Sequence, residues 1–255
     1  MNKITALFES RKKNILSLFF TAGYPEKDSM QGVLAAIQTS RADMVEIGIP
    51  FSDPVADGKI IQDSSAVALK KGMSLELLFR QLEETRGTFT KALLLMGYFN
   101  PVMQYGLERF CERCRECGVD GVIIPDLPLP EYKKYKDIFS RYEILFIMLV
   151  TPGTSEERLK AIASEASGFI YAVSSYSTTG GSAASGISRD YIRNVERICG
   201  LPVLIGFGIN DSKSFEHACK ISSGGIIGSA FIKALTASSD IEKSVINFVD
   251  DIRGR

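Results

Sequence analysis

The chain has no tryptophan and only one histidine, His217. A single imidazole cannot assemble a histidine-rich metal centre, and it argues against nucleophile triads built on histidine. Neither sign of charge is in excess: 30 Lys and Arg balance 30 Asp and Glu. No basic surplus therefore advertises nucleic acid or anionic lipid as a partner. No apolar run reaches the length of a membrane span, and the opening MNKITALFESRKKN lacks the long apolar stretch of a secretory signal. These absences predict a soluble cytoplasmic protein with neither nucleic acid nor membrane among its partners. The five cysteines are an odd number, and Cys111, Cys114 and Cys117 stand in the string CERCRECG. A bacterial cluster motif would continue with cysteine and proline where Gly121 and Val122 stand. On a helix each three-residue step slips by about 60°, so the three thiols spread over an arc of about 120° and do not converge on one ion. Reduced thiols on a helix ending at Gly118, with no metal, are the expectation.

What the chain does contain is a repeat of apolar runs. ILSLFFTA, MVEIGIP, ALLLMGY, GVIIPD, LFIMLV, GFIYAVS, PVLIGFG and GGIIGSA begin near positions 15, 44, 92, 121, 145, 168, 202 and 224. Near-continuous apolar character without alternation marks strands buried on both faces, as in parallel sheets. Between them lie polar segments of helical spacing, such as Ser155 to Ala166 with its acidic start, and Asp211 to Ile221 with Asp211 placed as an N-cap. Eight strand–helix repeats in 255 residues predict one closed α/β domain, a (βα)8 TIM barrel, rather than an open doubly wound sheet of fewer strands. The stretches from Asp53 to Gly72 and from Ser174 to Ser188 exceed ordinary connections, so long loops or extra helices are expected after strands two and six. Both follow strand C-terminal ends, the face on which barrel enzymes place their chemistry.

The eight runs hold only two carboxylates, Glu46 and Asp126, and no lysine, arginine or histidine. Schiff-base chemistry on a barrel strand is excluded with the lysine. A carboxyl inside such a strand must be partnered or kept protonated at a raised pKa, and a raised pKa suits general acid–base catalysis. A glutamate merely hydrogen-bonded within the barrel is the competing reading. Asp53 and Asp57 follow in FSDPVADG, where two aspartates with Pro54 and Gly58 also read as ordinary turn residues. GFGI at 206 to 209 and GGIIGSA at 224 to 230 close the last two strands. Glycine admits close approach of backbone N–H groups to an anion, and a helix starting after Gly228 and Ser229 would aim its N-terminus at it, which predicts phosphate binding there. Tight packing is the plainer use of the same glycines.

Taken together, TAGYP, VEIGIPFSDPVADG, MGYFNPVMQYG, DLPLPE, GFGI and GSAFIK resemble, in order and spacing, the tryptophan synthase α subunit family over essentially the whole chain. The resemblance implies a lyase that cleaves indole-3-glycerol phosphate to indole and glyceraldehyde 3-phosphate. It implies an α2β2 assembly with a β subunit that carries the pyridoxal phosphate, the α chain holding no cofactor of its own. It makes Glu46 the catalytic acid/base and Asp57 the acceptor of the indole N–H. Phe19, Tyr98 and Tyr171 match pocket positions, and Gly180, Phe207, Gly208, Gly228 and Ser229 match the phosphate cradle. Asp53 and the segments 50–72 and 100–106 fall on the surface that meets the β subunit, with Asp53 serving communication. Departures gather outside the strands: Ser177 and Thr178 replace a glycine and a valine after strand six, Lys59 stands for proline, and Val67 for arginine. The altered loop motivates an alternative, an α-type barrel that mainly activates the β subunit. Another phosphate-binding barrel enzyme would explain the glycines but not GIPFSDPVADG.

Overall fold

The computed structural model describes residues 1–173, 187–237 and 240–254. Among these residues nine parallel strands are present: β1 (Ile15–Thr21), β2 (Met44–Gly48), β3 (Ala92–Met96), β4 (Gly121–Ile123), β5 (Leu145–Phe146), β6 (Met148–Val150), β7 (Ile170–Val173), β8 (Val203–Gly206) and β9 (Gly224–Ile227). Their order in the sheet is β5-β4-β3-β2-β1-β9-β8-β7-β6. The two edges, β5 and β6, are halves of one strand parted by Ile147, whose N–H donates to the Val122 carbonyl at 2.9 Å. The sheet thereby closes on itself, and the eight predicted runs form the eight staves of a TIM barrel.

Side chains alternate across each stave. Ile15, Met44, Leu94, Ile123, Ile147 and Ile226 fill the barrel interior, while Leu16, Leu18, Val45, Ile47, Leu93 and Leu95 face the surrounding helices. Both faces are apolar, which is why the strands read as unbroken runs. Among the described residues the helices are α1 (Lys3–Ser10), α2 (Ser29–Thr39), α3 (Lys59–Lys70), α4 (Leu75–Thr85), α5 (Phe99–Tyr105), α6 (Leu107–Glu116), α7 (Leu129–Arg141), α8 (Glu156–Ala163), α9 (Arg189–Cys199), α10 (Ser212–Ile221), α11 (Ser229–Thr236) and α12 (Ile241–Arg253). α1 plugs the N-terminal end of the barrel: Ile4 and Phe8 join the interior cluster.

Caps fall where the polar residues suggested. The Ser155 side chain accepts from Arg158 N–H at the start of α8, although that helix ends three residues before the predicted Ala166. Asp211 and Ser214 form a reciprocal capping box on α10, and His217 lies exposed on that helix. The long connection after β2 contains α3, so it is an extra helix as much as a loop. On α6, Cys111 and Cys114 are buried, with Cys117 buried at its C-cap, and burial pushes the Cys111 thiol up to about 12 and that of Cys117 to about 11. The segment 174–186, with Gly180 and the substituted positions Ser177 and Thr178, lies outside the described residues.

Candidate active site

Glu46 occupies the middle of β2, beside Phe19 of β1 and Leu94 of β3 in the ladder, and is 0 % exposed. Its Oε1 accepts a hydrogen bond from the Ser17 hydroxyl at 2.7 Å. Its Oε2 is buried without a partner among the described residues. Removal from water penalises the carboxylate more than the single hydrogen bond favours it, so the pKa climbs from 4.5 to about 8. At neutral pH Glu46 is mostly a neutral acid.

Asp57 stands beyond the end of the same strand, one residue before the N-cap of α3. The Tyr98 hydroxyl donates to its Oδ2 at 3.0 Å and accepts from the Ala56 N–H at 2.9 Å, so one phenol pins both the Asp57 side chain and the backbone of the residue before it. Burial raises the Asp57 pKa to about 6, against the lowering effect of the Tyr98 bond. Asp57 is therefore mostly ionised at neutral pH. Burial and the Asp57 charge both raise the pKa of Tyr98, which keeps it a donor.

Phe19, Asp57 and Tyr171 share the wall of one cavity with Phe207, Gly208 and the Gly228–Ser229 pair. Its walls enclose about 490 Å³ including the open mouth, within the range of small-molecule sites. Tyr171 rises from β7, buried, its hydroxyl kept protonated by burial and by the charges of Glu46 and Asp57. It is seated only because β8 offers a glycine: a Cβ on Gly206 would lie 2.1 Å from the Tyr171 hydroxyl. Phe207 and Gly208 both take the left-handed backbone conformation, with φ of 74° and 77°. α11 starts at Ser229 with Gly228 as N-cap and no side-chain cap, leaving its first N–H groups to face an anion.

Seven predicted residues thus meet at one cavity. Tyr98 reaches it through Asp57. Glu46 does not line it but pairs on the ladder with Phe19, which does, and Asp53 is exposed outside the lining, its Oδ2 accepting from the Ser52 hydroxyl at 2.5 Å. Gly180 lies outside the described residues. Sequence reasoning missed the apolar lining residues Ile61, Met96, Ile209 and Ile226, and it missed Ser17. Met96 was accessible from the alternation of β3, two positions after the inward Leu94. Ser17 carried no signal of its own.

A closed barrel with one carboxyl buried within β2, a second past the end of that strand and a glycine-lined cavity at the start of α11 has the layout of an enzyme of the (βα)8 class. A sequence model of the tryptophan synthase alpha chain matches residues 5–252. The tryptophan synthase alpha chain of Bacteroides thetaiotaomicron is 46 % identical over 256 residues, covering 99 % of this chain and 100 % of the relative. That of Parabacteroides distasonis is 47 % identical over the same shares of both chains. A chain from the tryptophan synthase α2β2 complex of Pyrococcus furiosus is 34 % identical, with a TM-score of 0.88 over 96 % of this chain and 100 % of that one. The chain belongs to the tryptophan synthase alpha chain family.

Proposed function

We propose that this chain performs the lyase reaction of its family, retro-aldol cleavage of indole-3-glycerol phosphate, with Glu46 as proton carrier and Asp57 as electrostatic partner. The observation that carries the reading is the separation in acidity, Glu46 near 8 and Asp57 near 6. Two carboxyls whose environments push their pKa values apart divide acid and anion roles between them. Glu46 gives its proton to C3 of the indole ring, and Asp57 accepts from the indole N–H and stabilises the positive charge on nitrogen. The side-chain hydroxyl next to the ring then yields its proton to the Glu46 carboxylate. The bond from C3 to that carbon breaks, its electron pair returns to the ring, and the carbon leaves as the aldehyde. Glu46 ends reprotonated. Phe19 and Tyr171 enclose the ring, and Phe207, Gly208, Gly228 and Ser229 receive the phosphate, joined by Gly180 on the family pattern.

The indole passes to a β subunit in an α2β2 assembly, as in the Pyrococcus furiosus complex, and pyridoxal phosphate belongs to that subunit. Exposed apolar side chains support the docking face: of the large hydrophobics exposed among the described residues, Val55, Val67 and Met103 fall in the segments 50–72 and 100–106, leaving only the terminal Met1 elsewhere. We place the protein in the cytoplasm; no helix of the described residues is long and apolar enough to cross a membrane. Indole release from indole-3-glycerol phosphate, measured with and without the β subunit, tests the function. Release in both conditions, faster with the partner, is expected; none in either overturns it.

A further inference from the structure

Ser17 is the hydrogen-bond partner of Glu46 on the barrel wall among the described residues. It lies on β1 two residues before Phe19, the residue that pairs with Glu46 across the ladder. The Glu46 side chain therefore reaches back toward the N-terminal end of the strands to meet the Ser17 hydroxyl at 2.7 Å. Both side chains are 0 % exposed, so water does not compete for this hydrogen bond. It engages Oε1 alone, and Oε2 is left without a partner among the described residues. A buried polar atom left unpaired costs folding free energy, which is unusual unless the atom is kept for another use.

We propose that Ser17 is a positioning residue: its hydroxyl ties down Oε1 of Glu46, fixing the carboxyl and reserving Oε2 for proton exchange with the substrate. The inference rests on the reading of Glu46 as proton carrier. A carboxyl on a flexible three-carbon arm gains a defined reactive oxygen once the other is held, and the step then starts from one geometry instead of several. The same bond favours the ionised form, so it moderates the rise in pKa that burial imposes. Few other charges interfere. Among the strands of the described residues, Tyr171 is the only other titratable side chain, and it faces both Glu46 and Asp57; β1 and β3 present none.

The test compares Ser17→Ala with wild type in the α2β2 complex, following kcat, KM and the pH profile of kcat/KM for indole release. Loss of the hydroxyl is expected to lower kcat by about tenfold and leave KM nearly unchanged. The alkaline limb, where Glu46 loses its proton, should move upward by about one pH unit. A role in packing alone would not move that limb, and an unmoved limb with wild-type kcat overturns the proposal. Ser17→Cys, of similar size with a weaker donor, should place the limb between the two; if the alanine variant does not fold, an unmoved limb in the cysteine variant overturns the proposal equally. Glu46→Gln separates the two layers. An inactive Glu46→Gln beside an unperturbed Ser17→Ala removes only the role of Ser17, whereas an active Glu46→Gln removes the proton carrier and Ser17 with it.

Discussion

Replacing Glu46 by glutamine should abolish cleavage and remove the loss of stability that the wild type suffers as pH rises through neutrality. Glutamine keeps the shape and still accepts the Ser17 hydrogen bond, but it exchanges no proton near neutral pH, and loss of such a group costs on the order of 10² to 10⁴ in rate. The stability effect follows from linkage. Folding raises the Glu46 pKa from 4.5 to about 8, so between those values the folded chain holds a proton that the unfolded chain has released. Stability contributed by this group is complete below the lower value, falls as pH rises toward the upper one, and is constant beyond it. At about 1.4 kcal/mol per pH unit of that interval, the wild type should lose roughly 3 to 4 kcal/mol relative to the glutamine variant between about pH 5 and about pH 8. That is a large share of the 5 to 15 kcal/mol typical of a folded domain.

Urea unfolding of both proteins across this pH range measures the difference directly. Comparing the two cancels every other titrating group, and any fixed penalty of the buried amide drops out because only the change with pH matters. Parallel stability curves would show that Glu46 titrates alike in the folded and unfolded chain, and the account of its acidity would fail. A divergence in the opposite sense would place a cation near it.

Three further outcomes are expected. Asp57→Asn removes the anion that faces the ring nitrogen and should lower kcat by about 10² to 10³ while KM changes little; steady-state indole release decides, and an unchanged kcat would return Asp57 to a turn role. Gly206→Ala places a methyl group 2.1 Å from the Tyr171 hydroxyl, so it should displace that ring, reduce kcat/KM by about 100-fold and cost about 1 to 3 kcal/mol; wild-type kinetics with an unshifted melting temperature would show that the ring has room to move. Asp53→Ala should leave the isolated barrel within about 0.5 kcal/mol of wild-type stability and still able to bind glycerol 3-phosphate, yet weaken mutual activation with the β subunit by about fivefold; equal activation in assays of both half-reactions would make Asp53 a loop residue with no part in coupling.

The staves were legible because strands buried on both faces cannot hide their composition: each run starts within about two residues of its observed strand, as apolar pattern allows. The plug α1 was not, since a helix of 8 residues has too few turns for periodicity and lies outside the eightfold repeat. Of the two carboxylates in the runs, Glu46 stood out because it lies inside its run whereas Asp126 ends one, an expensive placement that demands a reason. Its partner did not stand out. A serine in an apolar strand is unremarkable until the register shows which inward side chain it meets, and register is a property of the closed barrel. Ile61 and Ile226 were illegible for the converse reason: an apolar residue that lines a cavity looks the same in sequence as one that fills a core.

The acidities of Glu46 and Asp57 and the fold have one cause. The strands are free of charge because both of their faces are buried, and this apolar wall strips Glu46 of water and holds it near 8. Asp57 escapes the same fate by standing past the strand end, where Tyr98 and the Ala56 N–H form a polar bracket, and it settles near 6. Between those values Glu46 carries its proton while Asp57 carries its charge, which is the pairing a retro-aldol step needs before it begins. A charged side chain introduced on any neighbouring stave would lower the cost of ionising Glu46 or raise it further, and either change would displace the window from neutrality. The absence of lysine, arginine and histidine from the strands of the described residues therefore sets the acidity of Glu46 as well as the packing.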